Sequence, residues 1–433
     1  MILYPHLDVN DKGHLTIGGM DAVALAREYG TPAYFLCEDV IRESCRTYLR
    51  AAREHFGADA LPLYASKALS FTGIYRLVAE EGLGVDCVSG GELFTALRAG
   101  FPAERIYFHG NNKTDADLAM ALDMGVGTVV VDNAEELEAL DALACRAGKC
   151  QKILLRITPG IDPHTHRAIS TGHVDSKFGS AIATGGALAI TRLALKKQHL
   201  ALAGFHCHVG SQIFDIDPFR DAAHIMLRFI ADVKAQTGFT ATELNLGGGL
   251  GVPYTEYDRH IDYAAVIGEI GTIVRERSAA LGIPAPRIIL EPGRSLVAAA
   301  GVTLYTVGSV KEIPGFRNYV SVDGGMPDNP RYALYQSQYT ALIADRAGDP
   351  CDYVATLAGR CCESGDLLGE GMSIQRPRRG DTLAVLTTGA YNYAMSSNYN
   401  RLPRPPVVMI AGGKARLAVR RETFEDLVRN DCE

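Results

Sequence analysis

The 433-residue sequence lacks several features that would assign it to a specialised class of protein. It has no excess of positive charge, because 43 Lys and Arg stand against 50 Asp and Glu. A nucleic-acid partner held by the protein's own positive field is therefore not expected. No run of about 18 apolar residues occurs, and the N-terminus lacks a basic stretch followed by an apolar one, so we expect no membrane partner. The ten cysteines contain no CxxC pair and indicate reduced thiols in a cytoplasmic protein.

Short apolar runs alternate along the chain with stretches of helical periodicity. Strand candidates lie at 61–65, 84–88, 105–108, 128–131, 152–157, 202–208, 243–246 and 287–290. Helical spacing occupies 39–56, 91–100, 114–124, 134–147, 216–237 and 259–281. The pattern predicts an α/β fold with eight units, either a closed (β/α)8 barrel or a doubly wound open sheet.

Polar groups stand at the C-terminal ends of all eight strand candidates. They are Lys67, Asp86, His109, Asp132, Arg156, His206 with His208, Gly247 to Gly249, and Glu291. In a barrel these strand ends converge on one mouth, which is where active sites lie. The polar ends therefore favour the closed barrel.

The pattern changes after Glu291. Five β-rich runs follow at 303–310, 318–323, 352–357, 382–388 and 406–410, with little helical periodicity. We predict an N-terminal segment (1–35), a barrel (36–297) and a C-terminal all-β domain (298–433) that also takes in the N-terminal segment.

Two strand ends carry candidates for covalent and aromatic chemistry. Lys67, in YASKA, is either a solvated lysine or a Schiff-base lysine whose amine is kept neutral. His206 and His208, in HCHVGSQ, lie on one face of a strand. They fit ordinary packing, a metal pair, or an imidazole stacked on a cofactor ring with Ser211 donating to a phosphate.

The last two strand ends suggest a phosphate-bearing cofactor. The glycines of GGGLG at 247–251 come too late in the chain for a dinucleotide fold, but they can form an anion cradle. Glu291 and Arg294, in EPGR, form either a turn ion pair or a site where the carboxylate keeps a pyridine nitrogen protonated.

In the β domain, CCESGD at 361–366 supplies either structural thiols or a proton donor.

These motifs occur in an order that identifies a family. With YASKA, HCHVGSQ, GGGLG, EPGRS, CCESGD and GAYNYAMSSNYN, the chain resembles the fold-type III decarboxylases that use pyridoxal 5'-phosphate. The stretches GLGVDCVSGGEL, RIYFHGNNK, VDSKFG and VSVDGGMPDNPRYALY fit the same family. The resemblance covers nearly the whole chain and points to the members that act on meso-diaminopimelate.

The resemblance implies roles for individual residues. The implied catalytic residues are Lys67 as the Schiff-base lysine, His208 stacked on the ring, Glu291 paired with the pyridinium, and Cys362 as proton donor. The implied cofactor-binding residues are Lys67, Asp86, Arg156, His208, Ser211, Gly248, Gly249, Glu291, Gly293, Arg294 and Tyr391. The implied substrate-binding residues are Arg294, Arg331, Tyr335, Glu363 and Tyr391. No metal is implied, and Cys362 with Glu363 would come from the partner chain of a homodimer.

Two positions depart from the family pattern. Tyr332 stands where Pro usually follows the arginine, and Arg360 stands where Lys is common. The first bears on the fine placement of Arg331.

The implied reaction is decarboxylation of meso-2,6-diaminopimelate to L-lysine and CO₂, the last step of lysine biosynthesis. Alternative substrates within the family are carboxynorspermidine, ornithine or lysine, and a carrier-linked amino acid. A racemase is disfavoured because Glu291 makes a strong electron sink. A zinc hydrolase using the two histidines and a non-catalytic pyridoxal-binding protein are the remaining alternatives.

Overall fold

A computed structural model describes residues 3–161 and 176–432. The strands are β1 (Leu7–Val9), β2 (Leu15–Ile17), β3 (Met20–Asp21), β4 (Ala33–Cys37), β5 (Leu63–Ala65), β6 (Gly84–Cys87), β7 (Ile106–Phe108), β8 (Thr128–Val131), β9 (Gln151–Thr158), β10 (Ser180–Ala181), β11 (Leu200–His206), β12 (Glu243–Asn245), β13 (Arg287–Ile289), β14 (Gly301–Ile313), β15 (Arg317–Val322), β16 (Ala341–Ile343), β17 (Tyr353–Ala358), β18 (Leu367–Ile374), β19 (Thr382–Leu386), β20 (Val407–Ala411) and β21 (Lys414–Val419). The helices are α1 (Ala22–Tyr29), α2 (Glu38–Phe56), α3 (Thr72–Glu80), α4 (Gly90–Ala99), α5 (Asp115–Met124), α6 (Ala134–Arg146), α7 (Gly186–Ala194), α8 (Asp217–Thr237), α9 (Tyr263–Leu281), α10 (Arg294–Val297), α11 (Arg331–Tyr335) and α12 (Phe424–Val428). Val174 and Asp175 of the VDSKFG stretch lie outside the described residues.

One compact unit, Ser44–Gly251 with Ile261–Gly293, is the predicted barrel. Its eight parallel strands are hydrogen-bonded in the order β13, β12, β11, β9, β8, β7, β6 and β5, and the short strand β10 pairs with β9. The sheet closes on itself, since the N–H of Leu63 donates to the carbonyl of Leu290 (2.8 Å) and that of Ala65 to Pro292 (3.0 Å). All eight predicted strands are confirmed, and α3 and α7 are helices that the spacing did not indicate.

Apolar side chains from alternate positions fill the interior of the barrel. Leu63, Tyr107, Val130, Leu154 and Ile289 form one buried cluster, each at most 2% exposed. Because successive strand residues point to opposite faces, the remaining apolar residues pack under the surrounding helices. Polar residues are thereby left for the strand ends, where the helices begin.

The helices begin directly after the strands because capping side chains stand there. Ser89 caps α4, Thr114 and Asp117 form a capping box for α5, and Asn133 caps α6. Each cap accepts a hydrogen bond from an N–H of the first helical turn that would otherwise lack a partner. The short turns fix the direction of the loops that carry the polar strand ends.

The second compact unit contains Met1–Glu43, Val252–His260 and Arg294–Glu433. Its main sheet runs in the order β18, β17, β15, β14, β4, β20 and β21, with β19 and β16 branching from β14. β1, β2 and β3 form a separate antiparallel sheet, and β4 is the N-terminal strand that joins the main sheet, as expected. The fold class is confirmed, while functional domain limits at residues 35 and 297 stay a prediction. Among the described residues no helix is long and apolar enough to cross a membrane.

Gly204 tests how tightly the barrel wall is closed. A Cβ at this position would lie 1.8 Å from the carbonyl oxygen of Glu243 on the neighbouring strand. We expect Gly204→Ala to lower the free energy of unfolding by about 1–3 kcal/mol, because the strands must separate to admit the methyl group. Urea unfolding followed by circular dichroism measures this.

The matched control is Gly91→Ala in α4. Its Cβ would meet only the Ser89 Oγ at 3.7 Å, and alanine is favoured over glycine in a helix by about 1 kcal/mol. Equal unfolding midpoints for the two variants would contradict the described closure.

Candidate active site

Lys67 lies in a single turn directly after β5. The turn is held because Ser66 Oγ donates to the Asp86 carbonyl oxygen at 2.8 Å. Lys67 Nζ lies 3.7 Å from Asp86 Oδ2, and the lysine side chain is 42% exposed whereas the aspartate is 1% exposed. The Lys67 amine is therefore accessible, whereas the Asp86 carboxylate beside it is buried.

His109 connects Asp86 to Glu291. Its Nε2 lies 3.8 Å from Asp86 Oδ1 and 2.8 Å from Glu291 Oε1. Burial raises the pKa of Asp86, although the charges of His109 and Lys67 act in the opposite direction. Both Asp86 carboxylate oxygens are buried without a hydrogen bond to any described residue.

Glu291 is held as a buried anion by three side chains, and we call Glu291, His109, His206 and Asn245 the Glu291 cluster. Asn245 Nδ2 donates to Glu291 Oε1 at 2.6 Å, and His206 Nε2 lies 3.2 Å from Oε2. Burial lowers the pKa of His206 to about 3, so its imidazole is neutral and Nε2–H is the donor. Burial by itself would raise the pKa of Glu291, but the two imidazoles outweigh it and keep that pKa well below its ordinary value.

The same cluster bears on the metal alternative. His109, His206 and Glu291 could together hold a metal ion, because their possible ligand atoms lie within 4.8 Å of one another. The described residues contain no other such group of three His, Cys, Asp or Glu side chains. His208, the second histidine of the metal alternative, does not belong to this group. Since the carboxylate already accepts a hydrogen bond from Asn245 and contacts both imidazole nitrogens, we interpret the cluster as a hydrogen-bonded anion.

His208 and the glycines at 247–249 lie against one another. The N–H of Gly248 donates to His208 Nδ1 at 3.3 Å. A Cβ at Gly248 would lie 2.1 Å from the Glu291 carbonyl oxygen, and one at Gly249, where φ is +122°, would lie 2.3 Å from the Gly210 carbonyl oxygen. Only glycine permits this approach. Burial and the nearby charge of Lys67 hold the pKa of His208 well below its ordinary value, which leaves the imidazole a neutral, flat ring.

The other residues predicted for the barrel lie around this centre. Arg156, on β9, stacks its guanidinium over the Phe178 ring at 4.1 Å. Gly293 packs on β5, where an added Cβ would meet the Ala65 Cβ at 2.9 Å. Ser211 follows His208 in the loop after β11.

The second unit brings four predicted residues into one cluster, which we call the arginine–tyrosine cluster. Its members are Arg294, Arg331, Tyr335 and Tyr391, together with Tyr254 and Tyr339. Arg294 Nη1 donates to the Tyr254 hydroxyl at 2.7 Å and its Cζ lies 4.7 Å from the Tyr391 ring centre. The Arg331 Cζ lies 5.5–5.8 Å from the ring centres of Tyr254, Tyr335 and Tyr391.

Arg331 is a buried cation. It is 5% exposed, makes no ion pair within the described residues, and leaves Nε without a hydrogen-bond partner there. Tyr332, the departure from the family pattern, is 5% exposed and its hydroxyl donates to Glu370 Oε2 at 2.7 Å. Tyr332 thus secures the helix that begins at Arg331.

Cys362 and Glu363 are exposed and lie on a different loop from the arginine–tyrosine cluster. The Cys362 N–H donates to Asn400 Oδ1 at 2.7 Å, and the Tyr399 hydroxyl donates to Glu363 Oε2 at 2.8 Å. Within one chain, the structure therefore does not place these two side chains with the other predicted substrate ligands.

Four residues of these clusters were not assigned a role from the sequence. His109 was noted only as a polar strand end, and Asn245 precedes the glycine loop that it supports. Tyr254 and Tyr339 carry no motif of their own. Buried polar side chains at strand ends were the available signal for the first two.

The barrel residues fit pyridoxal 5'-phosphate. Lys67 offers an amine for the aldehyde, Glu291 an anion for a protonated ring nitrogen, and His208 a flat neutral ring. Gly248 and Gly249 pack so closely against backbone carbonyls that no Cβ fits, and a glycine turn of this kind suits a phosphate. The buried Asp86 oxygens, which accept no hydrogen bond from residues 3–161 or 176–432, suit a cationic cofactor group.

Comparison with known proteins agrees with this fit. Residues 41–298 match the family model for the pyridoxal-binding domain of pyridoxal-dependent decarboxylases. The chain is 48% identical to the diaminopimelate decarboxylase of Bacillus subtilis (strain 168) over 431 residues, covering 100% of this chain and 98% of that protein. Identity to the Bacillus methanolicus diaminopimelate decarboxylase is 46% over 414 residues, covering 96% of each.

A solved structure shows the same fold over the whole chain. The diaminopimelate decarboxylase of M. jannaschii in complex with L-lysine superposes with a TM-score of 0.92 at 34% identity, covering 100% of this chain and 99% of that one. The chain therefore belongs to the pyridoxal-dependent decarboxylases, in the diaminopimelate decarboxylase family.

Proposed function

We propose that this chain is a carboxy-lyase that converts meso-2,6-diaminopimelate into L-lysine and CO₂, the last step of lysine biosynthesis. The observation that carries the proposal is the buried Glu291 anion, connected through His109 and Asp86 to the accessible amine of Lys67. Similarity over the full length to diaminopimelate decarboxylases supports this substrate over the alternative amino acids.

Pyridoxal 5'-phosphate, when bound, supplies a ring that accepts the electron pair released as CO₂ departs. The chain's own residues set the conditions for that chemistry. Lys67 provides the amine, with Asp86 as its neighbouring carboxylate. Glu291 would keep the proton on the ring nitrogen, because a buried carboxylate with a low pKa favours a cation beside it. His208 would pack against the ring, and Gly248, Gly249 and Ser211 are proposed to bind the phosphate.

Replacement of Lys67 tests the cofactor assignment. We expect the purified protein to be yellow, to lose that colour on borohydride reduction, and to form lysine from meso-diaminopimelate. Lys67→Ala should abolish both the reducible chromophore and turnover, because no other amine of the proposed site replaces it. Absorbance spectra and product analysis measure the two effects.

The control is Lys196→Ala on the exposed end of the α7 region, which should retain colour and activity. A coloured, active Lys67→Ala variant would exclude the proposal. Bound zinc in stoichiometric amount without a chromophore would support the hydrolase alternative instead.

Arg331 is proposed to bind the carboxylate at the distal end of the substrate. A buried cation without an ion pair is costly unless an anion reaches it, and the planar guanidinium binds a carboxylate with two hydrogen bonds. Arg294, Tyr335 and Tyr391 would complete this side of the site, and Glu363 would bind the distal ammonium. Lysine has no distal carboxylate, so Arg331 discriminates between the two amino acids.

Arg331→Ala should lower kcat/KM for diaminopimelate by at least about 30-fold, because the substrate carboxylate loses its buried charge partner. Any slow turnover of L-lysine should change little. Arg331→Lys is the matched control, since it keeps the charge but cannot form two parallel hydrogen bonds. Its kcat/KM for diaminopimelate should lie between those of the wild type and Arg331→Ala. Equal losses on both amino acids would argue against this role.

We propose that two copies of the chain form a homodimer with shared sites. Cys362 and Glu363 are exposed and lie on a different loop from the arginine–tyrosine cluster, which supports a role for them in the site of the partner. Cys362 would then protonate the substrate carbon after CO₂ leaves, and a positioned general acid of this kind contributes about 10²–10⁴-fold. The ten free cysteines support a cytoplasmic, reducing location for the enzyme.

Mixing two inactive variants tests the shared site. If Lys67 and Cys362 come from different chains, Lys67→Ala and Cys362→Ala subunits form heterodimers with one intact site. After subunit exchange, activity should recover to about a quarter of the wild-type value, since half of the dimers are heterodimers with one of two sites intact. No recovery in a sample where mass spectrometry confirms heterodimers would show that both residues act within one chain.

A further inference from the structure

One buried carboxylate joins the two loops that carry Arg331 and Cys362. Asp366, which is 2% exposed, accepts a hydrogen bond from the Met326 N–H at Oδ1 (2.6 Å) and another from the Cys361 N–H at Oδ2 (2.7 Å). Met326 lies in the segment that ends at Arg331, and Cys361 directly precedes Cys362.

Glycines enclose this carboxylate on both sides. A Cβ at Gly325 would lie 2.4 Å from Asp366 Oδ1, and a Cβ at Gly359 would lie 2.2 Å from Oδ2. The backbone of each loop therefore approaches the carboxylate as closely as only glycine allows. A second link runs between the same loops, since the Arg360 N–H donates to the Gly324 carbonyl oxygen at 2.9 Å.

The linked loops extend to a third segment that holds them from outside. The Ser397 N–H donates to the Pro327 carbonyl oxygen at 2.8 Å, and Asn400 accepts from the Cys362 N–H. Burial and the nearby Asp366 carboxylate raise the pKa of Cys361 to about 12, so this thiol stays protonated. Cys361 thus serves as an anchor for the loop, and Cys362 presents the exposed thiol.

We propose that Asp366 is a positioning residue for both Arg331 and Cys362, because it joins the two loops that carry them. Substrate binding and protonation then depend on one carboxylate that contacts neither substrate nor cofactor. This inference rests on the proposed function. Because Arg331 serves the chain's own site and Cys362 the partner's site in the proposed dimer, Asp366 also links the two sites.

The test separates KM from kcat for diaminopimelate in the complete, cofactor-loaded enzyme. Arg331→Ala should mainly raise KM, and Cys362→Ala should mainly lower kcat. Asp366→Asn should do both, each by about tenfold or more, because an amide can accept one of the two N–H groups but presents its own N–H₂ to the other. Reaction of Cys362 with iodoacetamide should also change in rate, and a role in stability alone would not alter that rate in a folded protein.

Asp381→Asn is the matched control. Asp381 is 8% exposed in the same unit and accepts a hydrogen bond from the Arg378 N–H, away from both loops. It should lower the melting temperature without changing KM, kcat or the alkylation rate. If Asp366→Asn does not fold, Gly359→Ala replaces it, since it keeps the carboxylate and displaces it by the added methyl.

The outcomes distinguish the inference from the proposed function. Asp366→Asn or Gly359→Ala variants that change only KM, only kcat or only the melting temperature would overturn the positioning role. If the wild-type enzyme forms no lysine from meso-diaminopimelate, the proposed function fails, and this inference fails with it. If wild type forms lysine and Arg331→Ala and Cys362→Ala do so equally well, the proposed function stands and only the inference about Asp366 fails.

Discussion

The buried negative charge of Glu291 is the constraint on which the barrel site depends. A carboxylate removed from water is costly unless donors surround it. Here Asn245 donates one hydrogen bond and the imidazoles of His109 and His206 contact both oxygens. These three residues end or follow three different strands of one closed barrel, so the buried carboxylate has its partners only when the barrel is closed.

In the second unit the buried charge is positive. Arg331 is buried among tyrosines without an acid among the described residues, and the proposed substrate carboxylate would be its counter-charge. The tyrosine rings offset part of the cost of burying this cation, because aromatic faces attract cations. Arg331 begins the short helix α11 and Cys362 lies in a loop, and Asp366 accepts hydrogen bonds from the segments that precede both residues.

Local patterns predicted much of this structure. The eight strands and most barrel helices followed from periodicity, because buried parallel strands are short apolar runs and amphipathic helices alternate with them. α3 and α7 were missed, since each is only nine residues long. β16, β18 and β21 were also missed, because a strand defined by its antiparallel partner carries a weak signal of its own. In the site, residues within motifs were found, but His109, Asn245, Tyr254 and Tyr339 gain their contacts from residues distant in sequence, which no local spacing reveals.

The protonation state of the cofactor ring is the quantity that this account fixes most strictly. It can be measured by nitrogen-15 NMR on the enzyme loaded with pyridoxal 5'-phosphate labelled at the ring nitrogen. The Glu291 cluster predicts the chemical shift of a protonated pyridine nitrogen in the wild-type enzyme at neutral pH, and movement toward the unprotonated shift in Glu291→Gln. An unprotonated nitrogen in the wild-type enzyme, or no difference between the two proteins, would contradict the central claim.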